Sequence, residues 1–163
     1  ELLIELFDVG LRNLNIGVET IHEDIENVNK RKLIEVNHQE EIIKYCDRLG
    51  IKISAFYIFG LVDDTEENII RTIDYAMKLN TNVAQFCISI PYPGTKFYDE
   101  VKAKGLLTED NFEKYNTANL VYKHNVLNSE QLVKLREFAF KKYYFRFGYL
   151  ANFLKWRLRE FWL

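Results

Sequence analysis

Between Ile51 and Thr65 the chain reads Ile-Lys-Ile-Ser-Ala-Phe-Tyr-Ile-Phe-Gly-Leu-Val-Asp-Asp-Thr: an apolar, aromatic and β-branched run, a glycine, then an acidic cluster. That order predicts a strand buried on both faces, a break at Gly60 and a capped helix opening near Glu66. The pattern recurs on either side. Asn13–Glu19 reads as a strand closed by a carboxylate, followed by a short helix through Ile21–Val28 and the basic run Lys30-Arg31-Lys32. Asn37-His38-Gln39-Glu40 predicts a capping box for a helix that keeps Ile42, Ile43, Cys46 and Leu49 on one face and stops at Gly50. Asp64 with Glu67 predicts the next cap, and Ile69, Ile70, Ile73, Ala76, Met77 and Leu79 the buried stripe behind it. Val83–Ile90 is the third strand, with Gln85, Cys87 and Ser89 on one side and Phe86, Ile88 and Ile90 on the other. Pro91-Tyr92-Pro93-Gly94-Thr95 then makes a tight turn, and a helix near Lys96–Lys104 ends at Gly105.

Strand and helix alternate roughly every 30 residues, the rhythm of a parallel α/β sheet or barrel. Three βα units are too few to close a barrel, so the rest of the sheet is expected upstream. The chain also opens inside the helical run Glu1–Phe7 without an initiator methionine, which predicts a piece of a longer protein. After Gly105 the rhythm stops. Residues 106–128 read as an irregular connection with a short strand at Asn119–Tyr122. Asn128-Ser129-Glu130-Gln131 then caps a long helix running to about Phe147, Gly148 stops it, and a last helix covers Tyr149–Trp162. The expected division is a barrel segment over 1–105, the connection over 106–128 and a helical extension over 129–163.

Charge is unevenly spread. The net formal charge of −2 argues against nucleic-acid binding by the whole chain, yet Lys134–Leu163 holds eight Lys/Arg against two acids. The basic end is also the aromatic end. Cys46 and Cys87 fit no metal-knuckle spacing and read as buried, unpaired thiols of a reducing compartment. No signal peptide and no apolar run of about 18 residues is present. The expected location is the cytoplasm, with peripheral membrane contact through the last helix as an alternative.

Candidate chemistry gathers at the strand ends, where ligands of α/β folds sit. Glu19 could accept hydrogen bonds from vicinal hydroxyls, or support the next helix through its dipole. Gly60 allows close backbone approach, or simply makes a turn. The two prolines around Tyr92 would form a rigid wall. Lys30, Arg31 and Lys32 could hold a carboxylate or phosphate, or be a solvated charge run. His22, His38 and His124 lie in separate elements without ligand spacing and are assigned no role.

Three strand ends in order resemble the second half of a radical SAM core: Ile16-Gly17-Val18-Glu19-Thr20, then Phe56-Tyr57-Ile58-Phe59-Gly60-Leu61 leading to Asp64-Thr65, then Pro91-Tyr92-Pro93-Gly94-Thr95-Lys96-Phe97-Tyr98. The stretch Phe138–Leu154 is similar to the C-terminal segment of radical SAM proteins that carry an upstream cobalamin-binding domain.

The resemblance implies the C-terminal part of a partial (βα)6 TIM-like barrel. It also implies reductive cleavage of S-adenosylmethionine at a 4Fe-4S cluster, giving a 5′-deoxyadenosyl radical that abstracts hydrogen from substrate. Carried over by position, Glu19 binds the ribose at the end of the fourth strand, and Ile58 and Gly60 lie at the adenine-contacting end of the fifth. Ile90 and Tyr92 back the adenine, and Lys32 reaches the methionine carboxylate. The outcome would be methyl transfer, cyclisation or rearrangement of a small or lipid-like substrate, with an electron donor such as flavodoxin or ferredoxin and, in an upstream domain, cobalamin. Two departures stand out. Val62-Asp63-Asp64 replaces the usual Pro-Gly-Glu, and the Cys-x3-Cys-x2-Cys loop that holds the cluster is absent. These residues alone are therefore expected to bind no cluster and to be inactive; a non-catalytic half-barrel binding module is the rival reading.

Overall fold

The computed structural model describes residues 1–21, 36–61 and 63–160. Lys32, the other basic residues of its run and, from His22 onward, the expected Ile21–Val28 helix lie outside the described residues, as does Val62. The elements in chain order are α1 (Leu2–Asp8), β1 (Asn13–Glu19), α2 (Val36–Leu49), β2 (Lys52–Phe59), α3 (Glu66–Leu79), β3 (Val83–Ile88) and α4 (Lys96–Ala103). A 3₁₀ turn at Phe112–Lys114, α5 (Ser129–Tyr144) and α6 (Phe147–Glu160) complete them. The strands form one parallel sheet in the order β1-β2-β3. Together with the following helices, this is the α/β arrangement of a partial barrel.

One face of the sheet is packed. Val18, Ile53, Ala55, Tyr57, Phe59, Ala84, Phe86 and Ile88 are buried in one cluster with Ile43 and Cys46 of α2, Ile69, Ile73 and Ala76 of α3, and Leu132, Leu135, Ala139 and Tyr143 of α5. Phe86 sits at its centre, with ring centroids 5.3 Å from Tyr57, 5.6 Å from Phe59 and 5.3 Å from Phe140. The other face is open. β2 was expected to be buried on both sides, but buried residues alternate along it with less buried ones, and Phe56 is exposed. No described element covers that face, so only period-two burial results.

The outer edge of β3 is closed by side chains. The Tyr144 hydroxyl bridges the Ala84 N–H and C=O, at 3.0 and 2.9 Å. Arg136 Nε donates to the Phe86 carbonyl at 2.8 Å, and the Ile88 N–H donates to the Thr117 carbonyl at 2.8 Å. Backbone groups that another strand would pair are thus satisfied by α5 and the connection, which blunts the edge. Among the described residues the sheet stops at β3 on this side.

Several helix ends differ from expectation. Asn37 lies inside the helical span Val36–Leu49 of α2, and the residues before that span are outside the described ones. Thr65, not Asp64, caps α3: its Oγ1 accepts from the Asn68 N–H at 3.2 Å. The Asp64 carboxylate turns back to the preceding loop. The expected single helix to Phe147 breaks earlier, at Phe145 and Arg146, and Gly148 falls inside α6. Arg146 accounts for the break: its Nη2 reaches Asn80 Oδ1 at 2.6 Å and its guanidinium stacks over Tyr143, 4.7 Å from the ring centroid. β3 ends at Ile88, two residues short of Ile90, and the expected strand at Asn119–Tyr122 reduces to one antiparallel bridge between Leu107 and Tyr122. The capping box at α5 forms as read, with Asn128 and Gln131 each accepting from the other's backbone N–H at 2.9 Å.

Candidate functional site

The C-terminal ends of the three strands lie side by side and bring Glu19, Ile58, Gly60 and Ile90 to one edge of the sheet. β1 reaches it through an irregularity: Gly17 pairs with Phe56 but Glu19 pairs with Tyr57, so Val18 is an extra residue in the ladder. Glu19 takes a left-handed φ of 63°. Its side chain folds back along the strand, so that a Cβ built on Gly17 would lie 3.6 Å from Glu19 Oε1 and 3.7 Å from its Cγ. The carboxylate therefore lies over the open face, beside the row in which Gly17, Phe56 and Gln85 are in register. Thr20, the next residue, is buried with its hydroxyl 3.4 Å from that of Thr72 on α3, which ties this strand end to the helix layer.

Around Glu19 the open face is mixed. Asn15 and Ser54 are in register below Gly17 and Phe56, and half-buried Ile58 faces half-buried Cys87 above them. Cys87 is thus not the buried thiol expected, because nothing described packs on that side. Cys46 is fully buried on the helix side, where burial pushes its thiol pKa up. The two cysteines are on opposite faces and cannot share a metal. No group of three or more His, Cys, Asp or Glu able to hold a metal ion occurs among the described residues.

Gly60 is buried at φ 75°, in the left-handed region that favours glycine. A Cβ there would meet Leu132 Cδ1 at 3.0 Å, pointing into α5 and away from the open face. Its backbone is fully engaged. The N–H donates to Asp64 Oδ2 at 2.9 Å, as does the Leu61 N–H at 3.2 Å, and its carbonyl accepts from the Ser89 hydroxyl at 2.5 Å and from the Tyr122 hydroxyl. His124 Nε2 reaches the Leu61 carbonyl, while Nδ1 accepts the Val126 and Leu127 N–H groups at 3.2 and 3.0 Å. Burial lifts the Tyr122 pKa to about 12, so this hydroxyl keeps its proton at neutral pH. What Gly60 can offer a ligand is its Cα surface, not a hydrogen bond.

Ile90 is half-buried after β3, Pro91 is buried, and Tyr92 is exposed. The turn is set by Thr95, whose N–H and hydroxyl both donate to the Tyr92 carbonyl, at 3.1 and 2.7 Å, while its Oγ1 caps α4. Sequence reasoning missed Gly17, Ser89, Tyr122 and His124. Gly17 carried a faint signal, a glycine inside a strand where something approaches closely; the other three join segments far apart in the chain and left none.

No protein-family model matches the chain. Three relatives do. An uncharacterized methyltransferase of Pyrococcus horikoshii is 33% identical over 136 residues, covering 80% of this chain and 30% of that protein. Bacteriochlorophyllide d C-8(2)-methyltransferase of Chlorobaculum tepidum is 32% identical over 120 residues, 73% of this chain and 27% of the enzyme. Anaerobic magnesium-protoporphyrin IX monomethyl ester cyclase of Rubrivivax gelatinosus is 28% identical over 135 residues, 82% of this chain and 24% of the enzyme. The chain thus spans less than a third of the length of these relatives. Strand-end motifs in the order Gly17-Val18-Glu19, Phe59-Gly60-Leu61 and Pro91-Tyr92-Pro93-Gly94, parallel βα units of a partial barrel, and shared sequence with methyltransferases and a cyclase make one case: the chain belongs to the radical SAM superfamily.

Proposed function

We propose that this segment supplies the ribose and adenine side of an S-adenosylmethionine site in a radical SAM enzyme, and that the enzyme's reaction is methyl transfer to carbon. The observation that carries the reading is the Glu19 carboxylate folded over Gly17 on the open face of the sheet. A carboxylate acceptor at a strand end suits two vicinal hydroxyls. Ile58 offers an apolar surface one strand over, and Ile90 with Tyr92 supplies the far wall. Lys32 remains the candidate for the methionine carboxylate on the strength of the motif alone. When bound, S-adenosylmethionine supplies the radical that starts the reaction. The residues described do not fit a 4Fe-4S cluster, since their two cysteines face opposite sides of the sheet, and no step is assigned to one here.

Methyl transfer is favoured over cyclisation because two of the three relatives above are named methyltransferases. A planar tetrapyrrole is the substrate class suggested by the names of the bacteriochlorophyllide methyltransferase and the magnesium-protoporphyrin cyclase, and a cobalamin domain and a flavodoxin- or ferredoxin-type electron donor are the partners that the family resemblance suggests. The test is Glu19→Ala in the full-length chain. Weaker S-adenosylmethionine binding at unchanged iron content is expected. Unchanged binding removes Glu19 from the site and favours the non-catalytic half-barrel reading.

A further inference from the structure

Helix α6 carries two apolar faces. The inner one is occupied: the Tyr149 ring packs 4.8 Å from Tyr144 and 6.2 Å from Trp156, and its hydroxyl donates to the Asn82 carbonyl at 3.2 Å. That contact, with Lys155 at 3.3 Å from Asp47 at the end of α2, sets α6 under the N-terminal ends of β2 and β3, opposite to Glu19. The outer face is bare. Phe147 is 92% exposed, Leu150 50%, Leu154 61% and Leu158 62%. Their spacing puts all four on one line along the helix, about 17 Å long at 1.5 Å per residue.

Scattered exposed leucines need no explanation, but a continuous line of them marks a contact surface. The charges indicate which kind. At about 100° per residue, Lys155 and Arg157 fall on opposite borders of the line. From Phe138 to Arg159 the sequence holds six Lys/Arg and no acid. The acids that face this region come from packed elements: Asp74 pairs with Lys142 at 2.6 Å and Asp47 with Lys155. An exposed pair such as Lys155–Asp47 is weak enough to yield to a phosphate. A straight apolar line bordered by cations on both sides is the pattern of a helix lying in a bilayer interface, its basic side chains snorkelling to headgroups.

We propose that α6 docks this protein onto an anionic lipid bilayer, with the open strand-end face turned away from the surface. The proposal is independent of the S-adenosylmethionine reading. The experiment is co-sedimentation of the full-length chain with phosphatidylglycerol-containing vesicles and with pure phosphatidylcholine vesicles, at low and high salt. Two variants accompany it: Leu150→Ser/Leu154→Ser/Leu158→Ser, and Lys155→Gln/Arg157→Gln. Expected are binding to the anionic vesicles that falls with salt, a loss of about tenfold or more in the serine variant, and weaker, less salt-sensitive binding in the glutamine variant. Melting temperature and S-adenosylmethionine binding of the serine variant should stay as in the parent, because Leu150, Leu154 and Leu158 face solvent. Absence of binding to anionic vesicles at low salt overturns the proposal. So does full binding by the serine variant, or self-association abolished by the serines, which would assign the line to a second protein chain.

Discussion

His124 Nε2 lies 2.8 Å from the Leu61 carbonyl oxygen, joining the connection after α4 to the loop after β2. Because Nδ1 accepts two backbone N–H groups, Nε2 carries the proton and donates it to Leu61. Tyr122 of the same connection and Ser89 after β3 both bond the Gly60 carbonyl, so the connection holds Gly60 and Leu61 at the end of β2.

These bonds predict an order of stabilities. His124→Ala strips a donor from Leu61 and an acceptor from two N–H groups in a buried place, at a cost of about 2–4 kcal/mol. Tyr122→Phe removes one donor from a carbonyl that keeps Ser89, at about 1 kcal/mol. Urea unfolding of the full-length chain measures both; the reverse order would mean the histidine does not hold the loop.

Glu19 sits at φ 63°, a region unfavourable to side chains other than glycine's. Glu19→Gly and Glu19→Ala both delete the carboxylate, yet the glycine variant should be the more stable by about 1 kcal/mol. Equal thermal stability of the two would show that the left-handed turn is not held in solution.

The Tyr57 hydroxyl is buried without a hydrogen-bond partner among the described residues. Tyr57→Phe keeps the ring packed on Phe86 and removes an unsatisfied polar group, so the melting temperature should stay level or rise. A clear fall would reveal a bound water at the hydroxyl.

Burial raises the pKa of Tyr122 and of Tyr143 from 10 to about 12, and burial also pushes that of Tyr57 upward. A group whose pKa is raised on folding stabilises fully below its unfolded value, and that contribution disappears as pH climbs through its folded one. Stability should therefore fall between about pH 10 and pH 12. Tyr143→Phe should flatten the fall, measured by urea midpoints across that range, though it also gives up the bond to the Thr81 carbonyl at 2.6 Å. A slope identical to that of the parent would show that Tyr143 does not contribute.

The elements that the sequence determined are those whose signal is local. β1 runs from Asn13 to Glu19 as read, the stripe from Ile69 to Leu79 faces the sheet, and Asn128 with Gln131 closes its box. Alternation, helical spacing and a cap need only neighbours within a turn or two. The three strand-end motifs were legible for the same reason, and so was the α/β class.

What tertiary structure decided lies in contacts between segments that no local pattern links. Asp64 reads as a helix cap by spacing, but two N–H groups of the preceding loop compete for its carboxylate and win, leaving the cap to Thr65. His124 had no partner in its own stretch and found one only when the chain after α4 crossed the end of β2. α5 and α6 separate at Arg146 because Asn80 and Tyr143 hold that side chain. The Glu19 carboxylate reaches the open face because of one extra residue in the β1 ladder and the left-handed turn at Glu19, and a period of two cannot show a slip in its own register.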